Sequence, residues 1–275
     1  MSYVDAGRPR FFAHRGGALE GPENTLEAFR QGVAAGADHL ELDVHASSDG
    51  EIVVIHDPTL ERTTNGSGEV RAHSLAELRA LDAGYRFEAA DGSFPFRGRG
   101  VRIPTLAELC AEFPDVPLNM EIKQAEPDII DAVLGVLREH DALARSLVAA
   151  EHGSLMEQIR ARADGVLLGY STEDVIAFLE AMEAGTLADL EPVGFALQIP
   201  PEFLGTPLVT AELVEAAHAH GVEVHVWTVD EVAEMERLLD LGVDGLMTDR
   251  PTVLAQVLAR RTKGKARGQA GGHDG

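Results

Sequence analysis

The chain has 275 residues, 45% of them hydrophobic and 25% charged, the proportions of an ordinary globular protein at a length that suits one α/β barrel. Its net charge of −23 argues against nucleic acid as a partner, because a phosphate backbone demands a basic face. No run approaches the roughly 18 apolar residues of a membrane helix and the N-terminal segment lacks an apolar stretch of signal length, so no stable membrane insertion and a cytoplasmic location are expected.

The first strand is read at 10–14 (RFFAH), followed by an amphipathic helix over 24–35 with apolar positions at Leu26, Phe29, Val33 and Ala34. A second strand covers 39–45 (HLELDVH), and the apolar segment 51–56 (EIVVIH) close behind it reads as a hairpin partner or loop strand. The stretch 57–103 is too long for a connection in a compact domain, so it is expected to be a small insertion or a functional loop. Its Tyr85, Phe87, Phe94 and Phe96 would form either the insertion's own small core or an apolar lip for an acyl chain. Cys110, the single cysteine, lies in the apolar run 105–113, where a buried inert thiol is expected.

Further strands are read at 118–123, 146–151, 165–170, 194–199, 223–229 and 245–248, making eight in all. Helices are read at 127–140, 210–220, 230–241 and 251–260, the first with proline in its opening turn. Strands alternating with helices, joined by right-handed crossovers, predict a closed (β/α)8 TIM barrel of the α/β class, with the insertion after its second βα unit. The barrel forms a single catalytic domain over 1–260. A doubly wound open sheet is the alternative, disfavoured because no Gly-rich dinucleotide loop is present. The remainder, 261–275, is poor in apolar residues and rich in Gly and basic residues, and is expected to be a disordered tail.

In a parallel barrel the chemistry sits at the C-terminal ends of the strands, so polar residues there are the informative ones. Glu41 and Asp43 are two apart on one strand and therefore share a face, with Leu40 and Leu42 turned toward the helices. An arginine would neutralise such a pair; a cation would also be held by it. Glu121 and Lys123 repeat the arrangement on the next strand, so Glu41, Asp43 and Glu121 are placed to converge. Three carboxylates without a thiolate form an oxygen-only set that suits Mg²⁺ or Ca²⁺. Outside the tail, Lys123 is the only lysine in a chain with 20 arginines, which points to a need for a compact ammonium charge. His14-Arg15-Gly16-Gly17 closes the first strand with an acid/base, a guanidinium and glycines that allow close approach of a ligand. His56 supplies a second imidazole at a strand end. His45, two residues after Asp43, is read as a support behind the site or a surface residue rather than as a group facing the mouth. Trp227 is read either as an apolar wall for a substrate or as core filling.

Together AHRGG (13–17), PENTLEAF (22–29), ELDVHASSDGEIVVIHDPTLERTTNGSG (41–68), IPTLAEL (103–109), NMEIK (119–123), VWTV (226–229) and GVDGLMTDRP (242–251) resemble the glycerophosphodiester phosphodiesterase family, in the family's order across 11–258. The resemblance implies a TIM barrel with a small insertion after the second unit. It also implies a metal-dependent hydrolase of lipid and glycerol metabolism that releases sn-glycerol 3-phosphate and an alcohol from a small-molecule glycerophosphodiester. By position it makes His14 and His56 the general acid/base pair and Glu41, Asp43 and Glu121 the ligands of one divalent cation. Arg15 and Lys123 become phosphate contacts. Asp230, after VWTV, departs from the Asn common in relatives. Two other readings stand beside this one: a lysophospholipase D-like activity on the same fold, and a non-catalytic phosphoester-binding barrel.

Overall fold

The computed structural model describes residues 2–5 and 7–270. Its strands form where the sequence alternates two kinds of side chain. In β1 (Arg10–Ala13), Phe11 and Ala13 join the outer core under the helices, whereas Phe12 belongs to the interior cluster. In β2 (His39–Ala46), Leu40, Leu42 and Val44 face that outer core, which leaves His39, Glu41 and Asp43 on the barrel axis. In β4 (Leu118–Ile122), Leu118, Met120 and Ile122 are outward, and Asn119 and Glu121 inward.

The remaining barrel strands are β5 (Ser146–Ala149), β6 (Leu167–Leu168), β7 (Ala196–Ile199), β10 (Glu223–Val226) and β11 (Gly245–Thr248). They pair in parallel in the order β6-β5-β4-β2-β1-β11-β10-β7, and a single parallel bridge, Gly169 to Ala196, joins the two ends of the path. The expected eight-stranded barrel is therefore present. The closing seam is narrow: a Cβ on Gly194 would lie 2.8 Å from the carbonyl oxygens of both Leu168 and Gly169, so only glycine lets β6 and β7 approach this far. The segment 165–170 yields only two strand residues, and Gly169 just after them donates its N–H to Val148 of β5 at 2.9 Å while bridging to Ala196 across this seam.

The segment 51–56 supplies β3 (Ile52–Val54), which is antiparallel to β2, as a hairpin partner should be. The insertion after it carries α2 (Leu75–Arg79) and a core of its own, in which Leu60, Val70, Leu78, Val101 and Ile103 pack on Val53 and Ile55. A short hairpin of β8 (Glu202–Phe203) and β9 (Thr206–Pro207), with no counterpart in the sequence reading, follows β7.

The helices are α1 (Leu26–Ala35), α3 (Leu106–Glu112), α4 (Ile130–Glu139), α5 (Gly153–Arg162), α6 (Thr172–Ala184), α7 (Ala211–Ala219), α8 (Val232–Leu241) and α9 (Pro251–Ala270). Helix α1 starts two residues later than the periodicity suggests. Asn24 takes a left-handed conformation (φ 56°), and Thr25 caps the helix by accepting from the Ala28 N–H. Helix α9 runs past the expected end of the barrel domain. It continues through 261–270, and Arg261 is tied to Glu236 at 2.6 Å and Asp240 at 2.7 Å on α8; residues 271–275 lie outside the described residues. Cys110 is buried, which pushes its thiol up to about 11, the inert state expected of it. Among the described residues no helix is long and apolar enough to cross a membrane.

The barrel floor is polar. Arg10 donates from Nε and Nη2 to the two oxygens of Glu223 at 2.7 and 2.8 Å, and Gln198 donates to Asn119 at 2.7 Å. Phe12 packs between His39 and His225 above this layer, so the axis is filled and only the opposite, C-terminal end can admit a ligand.

Candidate active site

The turn after β1 sets the geometry of the mouth. Arg15 stands in the left-handed region (φ 51°), and Gly16 (φ 88°) passes so close to α1 that a Cβ there would meet Ala28 and Phe29 at 2.8 Å. This tight passage turns the backbone N–H of Arg15 inward to donate to Glu41 Oε2 at 2.9 Å. It also brings the Arg15 side chain onto Asp43, with Nε 3.3 Å from Oδ2. From the other side Lys123 Nζ reaches Asp43 Oδ1 at 3.4 Å and Glu121 Oε2 at 2.7 Å. The register explains this meeting: Asp43 and Glu121 are direct partners across the β2–β4 ladder.

His14 is buried beside them. Its Nδ1 lies 2.6 Å from Asp249 Oδ1, so the ring donates there and turns Nε2 toward Glu41, 3.8 Å from Oε2. Burial alone would lower the pKa of His14; Glu41 and the Asp249 hydrogen bond overcome it and raise the imidazole to about 8. Burial acts first on the carboxyls too. It raises Glu41, and Asp43 beside it adds to the effect. It would raise Asp43 as well, but Lys123 and Arg15 reverse the sign and hold that carboxyl below its usual range. Glu121 is raised by burial against the opposing pull of Lys123.

His56 belongs to the same mouth through a different set of contacts. Its Nδ1 donates to Asp57 at 2.7 Å, and its backbone carbonyl accepts from His45 Nε2 at 3.0 Å. His45 thus supports the site from behind, as expected. Asp57 is gripped by Arg62, which also holds Glu23, and Glu23 accepts from Arg15 at 3.2 Å. The structure therefore joins six of the sequence-predicted residues by direct contact (His14, Arg15, Glu41, Asp43, Glu121 and Lys123), and His56 by a chain of three further side chains. Trp227 stands apart. It is 42% exposed just after β10, on the rim rather than in the core, so of its two readings core filling is excluded. Of the insertion's aromatics, Phe96 packs on the insertion's own small core and Phe87 meets it edge to face at 5.4 Å, whereas the Arg97 guanidinium lies over Tyr85 and the exposed Phe94.

The sequence reading passed over Asn24, Asp57, Arg62 and Asp249. Asn24 donates to Asp43 Oδ2 at 3.0 Å, and Asp249 is 235 residues from the histidine it orients. Only their place inside quoted motifs (PENT, HDPTLERTT and TDRP) marked them in advance. Asp230 accepts from the Asp249 N–H at 2.8 Å and the Thr248 hydroxyl at 2.9 Å, which makes it a support for Asp249.

Among the described residues, no three His, Cys, Asp or Glu side chains close around a point where a cation would sit. Asp43 shows why: each of its oxygens is already taken by a protein cation, and Lys123 also restrains Glu121. The donor chemistry nevertheless fits a hard cation. Three carboxylates, Glu41 and Asp43 buried and Glu121 half-buried, outnumber Arg15 and Lys123 and offer oxygen donors alone, the set a hard cation takes.

A parallel barrel that gathers two imidazoles, three carboxylates and two cations at its C-terminal mouth is a TIM-barrel enzyme by the position and chemistry of its site. Residues 14–253 match the Glycerophosphoryl diester phosphodiesterase family, and the chain belongs to it. A glycerophosphodiester phosphodiesterase from Caldanaerobacter subterraneus is 34% identical over 90% of this chain and 97% of its own. The glycerophosphoryl diester phosphodiesterase domain of a Mycobacterium tuberculosis protein superposes with a TM-score of 0.79 at 27% identity, covering 92% of this chain and all of its own. An Oleispira antarctica phosphodiesterase, solved in complex with the product sn-glycerol-3-phosphate, gives 0.72 at 27% identity over 92% and 97%.

Proposed function

We propose that the chain hydrolyses glycerophosphodiesters to sn-glycerol 3-phosphate and an alcohol, with one divalent cation, Mg²⁺ or Ca²⁺, held by Glu41, Asp43 and Glu121. The observation that carries this reading is the contact network from His14 through Glu41, Arg15 and Asp43 to Lys123 and Glu121, on three adjacent strands at the barrel mouth. The cation supplies neutralisation of the charge that builds on the phosphoryl oxygens. Arg15 and Lys123 bind the phosphate, since their present partner, Asp43, would release them to an incoming anion on taking up its cation role.

His14 and His56 move the protons. Each has Nδ1 committed to an aspartate, which fixes the tautomer and leaves Nε2 for the reaction. One imidazole takes a proton from the nucleophile and the other delivers one to the leaving alkoxide. The nucleophile is either water or the neighbouring glycerol hydroxyl by way of a cyclic phosphate; the configuration at a chirally labelled phosphorus, inverted by one displacement and retained by two, separates them. The Oleispira relative holding sn-glycerol-3-phosphate supports the assignment of the product.

Turnover of several glycerophosphodiesters, with chelator and then with added Mg²⁺ or Ca²⁺, tests the reading. Activity should vanish with chelator and return with metal, and His14→Ala or His56→Ala should lower turnover about 10²–10⁴-fold. Turnover untouched by either substitution would remove that histidine from the mechanism, and lysophospholipid hydrolysis outpacing glycerophosphocholine hydrolysis would favour the lysophospholipase D-like reading instead.

A further inference from the structure

Arg62 lies in the insertion and has no part in the chemistry described above, yet its guanidinium is committed to two carboxylates. It donates from Nε to Asp57 Oδ2 at 2.6 Å and from Nη2 to Asp57 Oδ1 at 2.9 Å. On its other edge it donates from Nη1 to Glu23 Oε2 at 2.6 Å and from Nη2 to Glu23 Oε1 at 2.8 Å. Both pairs are fork-to-fork, the arrangement in which arginine fixes direction as well as distance. The side chain is 45% exposed, so its ion pairs contribute little to global stability. Stability therefore gives no sufficient reason for a doubly bidentate clamp at this position.

The two carboxylates lead to the two sides of the mouth. Asp57 Oδ1 accepts from His56 Nδ1 at 2.7 Å, and Arg62 is the main reason its carboxyl is held down to about 2, a permanently charged acceptor. Glu23 accepts from Arg15 Nη1 at 3.2 Å. The loop that carries Arg62 is stiff: Thr64 is buried and bonds back to the Leu60 carbonyl at 2.8 Å, and its hydroxyl oxygen accepts from the Gly66 N–H at 2.9 Å.

We propose that Arg62 is a positioning residue for the phosphodiesterase reaction: by clamping Asp57 and Glu23 together it sets the imidazole of His56 and the guanidinium of Arg15 in one fixed relation across the mouth. The insertion thereby serves catalysis as a brace between the β1–α1 loop and the segment after β3. The inference rests on the reading of His56 as an acid/base group. Loss of the clamp leaves His56 chemically intact but free to swing, and a misplacement of about 1 Å in such a group costs on the order of 10²-fold in rate.

The test is a cycle of Arg62→Ala, His56→Ala and the double variant on glycerophosphocholine, with thermal melting as a fold control. Arg62→Ala should lower kcat about 10–100-fold with KM changed by no more than a few-fold and the melting temperature near that of wild type. Added guanidinium should restore part of that loss, and Arg62→Ala should cost clearly less in the His56→Ala background, the remainder acting through Glu23 on Arg15. Should Arg62→Ala not fold, Arg62→Lys decides: it keeps the charge but cannot fork to both carboxylates, and its kcat must fall. A wild-type kcat in either folded variant, or the same full loss when Arg62→Ala is added to His56→Ala, overturns the clamp. Unchanged turnover in His56→Ala alone would instead refute the acid/base reading beneath it.

Discussion

Asp249, at the start of the last βα connection, holds Nδ1 of His14, at the end of the first strand, at 2.6 Å. The contact crosses the β1–β11 seam, where Ala13 pairs with Thr248, so the barrel's closure brings the two residues together. It fixes the ring, and it is one of the groups that raise His14 to about 8 against the lowering effect of burial. Asp249→Ala should therefore lower the His14 pKa in metal-free protein, read by ¹H–¹⁵N NMR titration of the imidazole. Turnover should fall about 10–100-fold through loss of orientation. An unmoved titration curve would show that Asp249 is not the orienting partner.

Asp230 stands behind Asp249 and is raised by burial first and by Asp249 second. Its Oδ1 already accepts both available hydrogen bonds, a role an asparagine carbonyl fills equally well. Asp230→Asn should therefore keep stability within about 1 kcal/mol of wild type or improve it, since one of two neighbouring half-buried carboxylates loses its charge. Urea denaturation measures this, and a loss well beyond that range would mean that the second oxygen carries an essential contact.

The barrel floor gives a pH dependence. Burial would raise Glu223, but hydrogen bonds from Arg10 and His225 outweigh it and hold the carboxyl at about 2 against an ordinary 4.5. A depressed folded-state pKa contributes stability above pH 4.5 that is lost as pH falls toward 2, on the order of 3 kcal/mol in all. Glu223→Gln should be less stable than wild type near neutrality, because Arg10 loses its charged partner in the interior. Its stability should also fall less steeply through that acid window. Parallel denaturant titrations across the window check both, and an identical slope would assign the acid sensitivity elsewhere.

Gly194 tests the seam. The Cβ of Gly194→Ala would press on two backbone carbonyls at 2.8 Å, which cannot swing aside as a side chain would. Overpacking of this kind costs about 1–3 kcal/mol. Calorimetry should show a melting temperature lower by several degrees, while the mouth residues, on the opposite arc, keep their activity. A variant as stable as wild type would show that the seam can widen freely.

Much of this was legible because a strand's period of two acts locally. Glu41 and Asp43 had to share a face with Leu40 and Leu42 on the other, and Glu121 had to lie opposite the pair once β2 and β4 were neighbours. The same local logic exposed the insertion through its length and Cys110 through its apolar surroundings. The attachment of Arg261 to α8 lay beyond it, because that residue's two carboxylate partners stand on another helix.

The amino-acid sequence by itself determined the alternation of strands and helices and the identity of the polar residues at strand ends, because both depend on side-chain chemistry over a few neighbouring positions. Only the tertiary structure decided which of those residues meet. The pairing of His14 with Asp249, the approach of Asn24 to Asp43 and the grip of Arg62 on Glu23 and Asp57 depend on ring closure and on where a long insertion folds back. No local period encodes such meetings, since packing across the barrel fixes them.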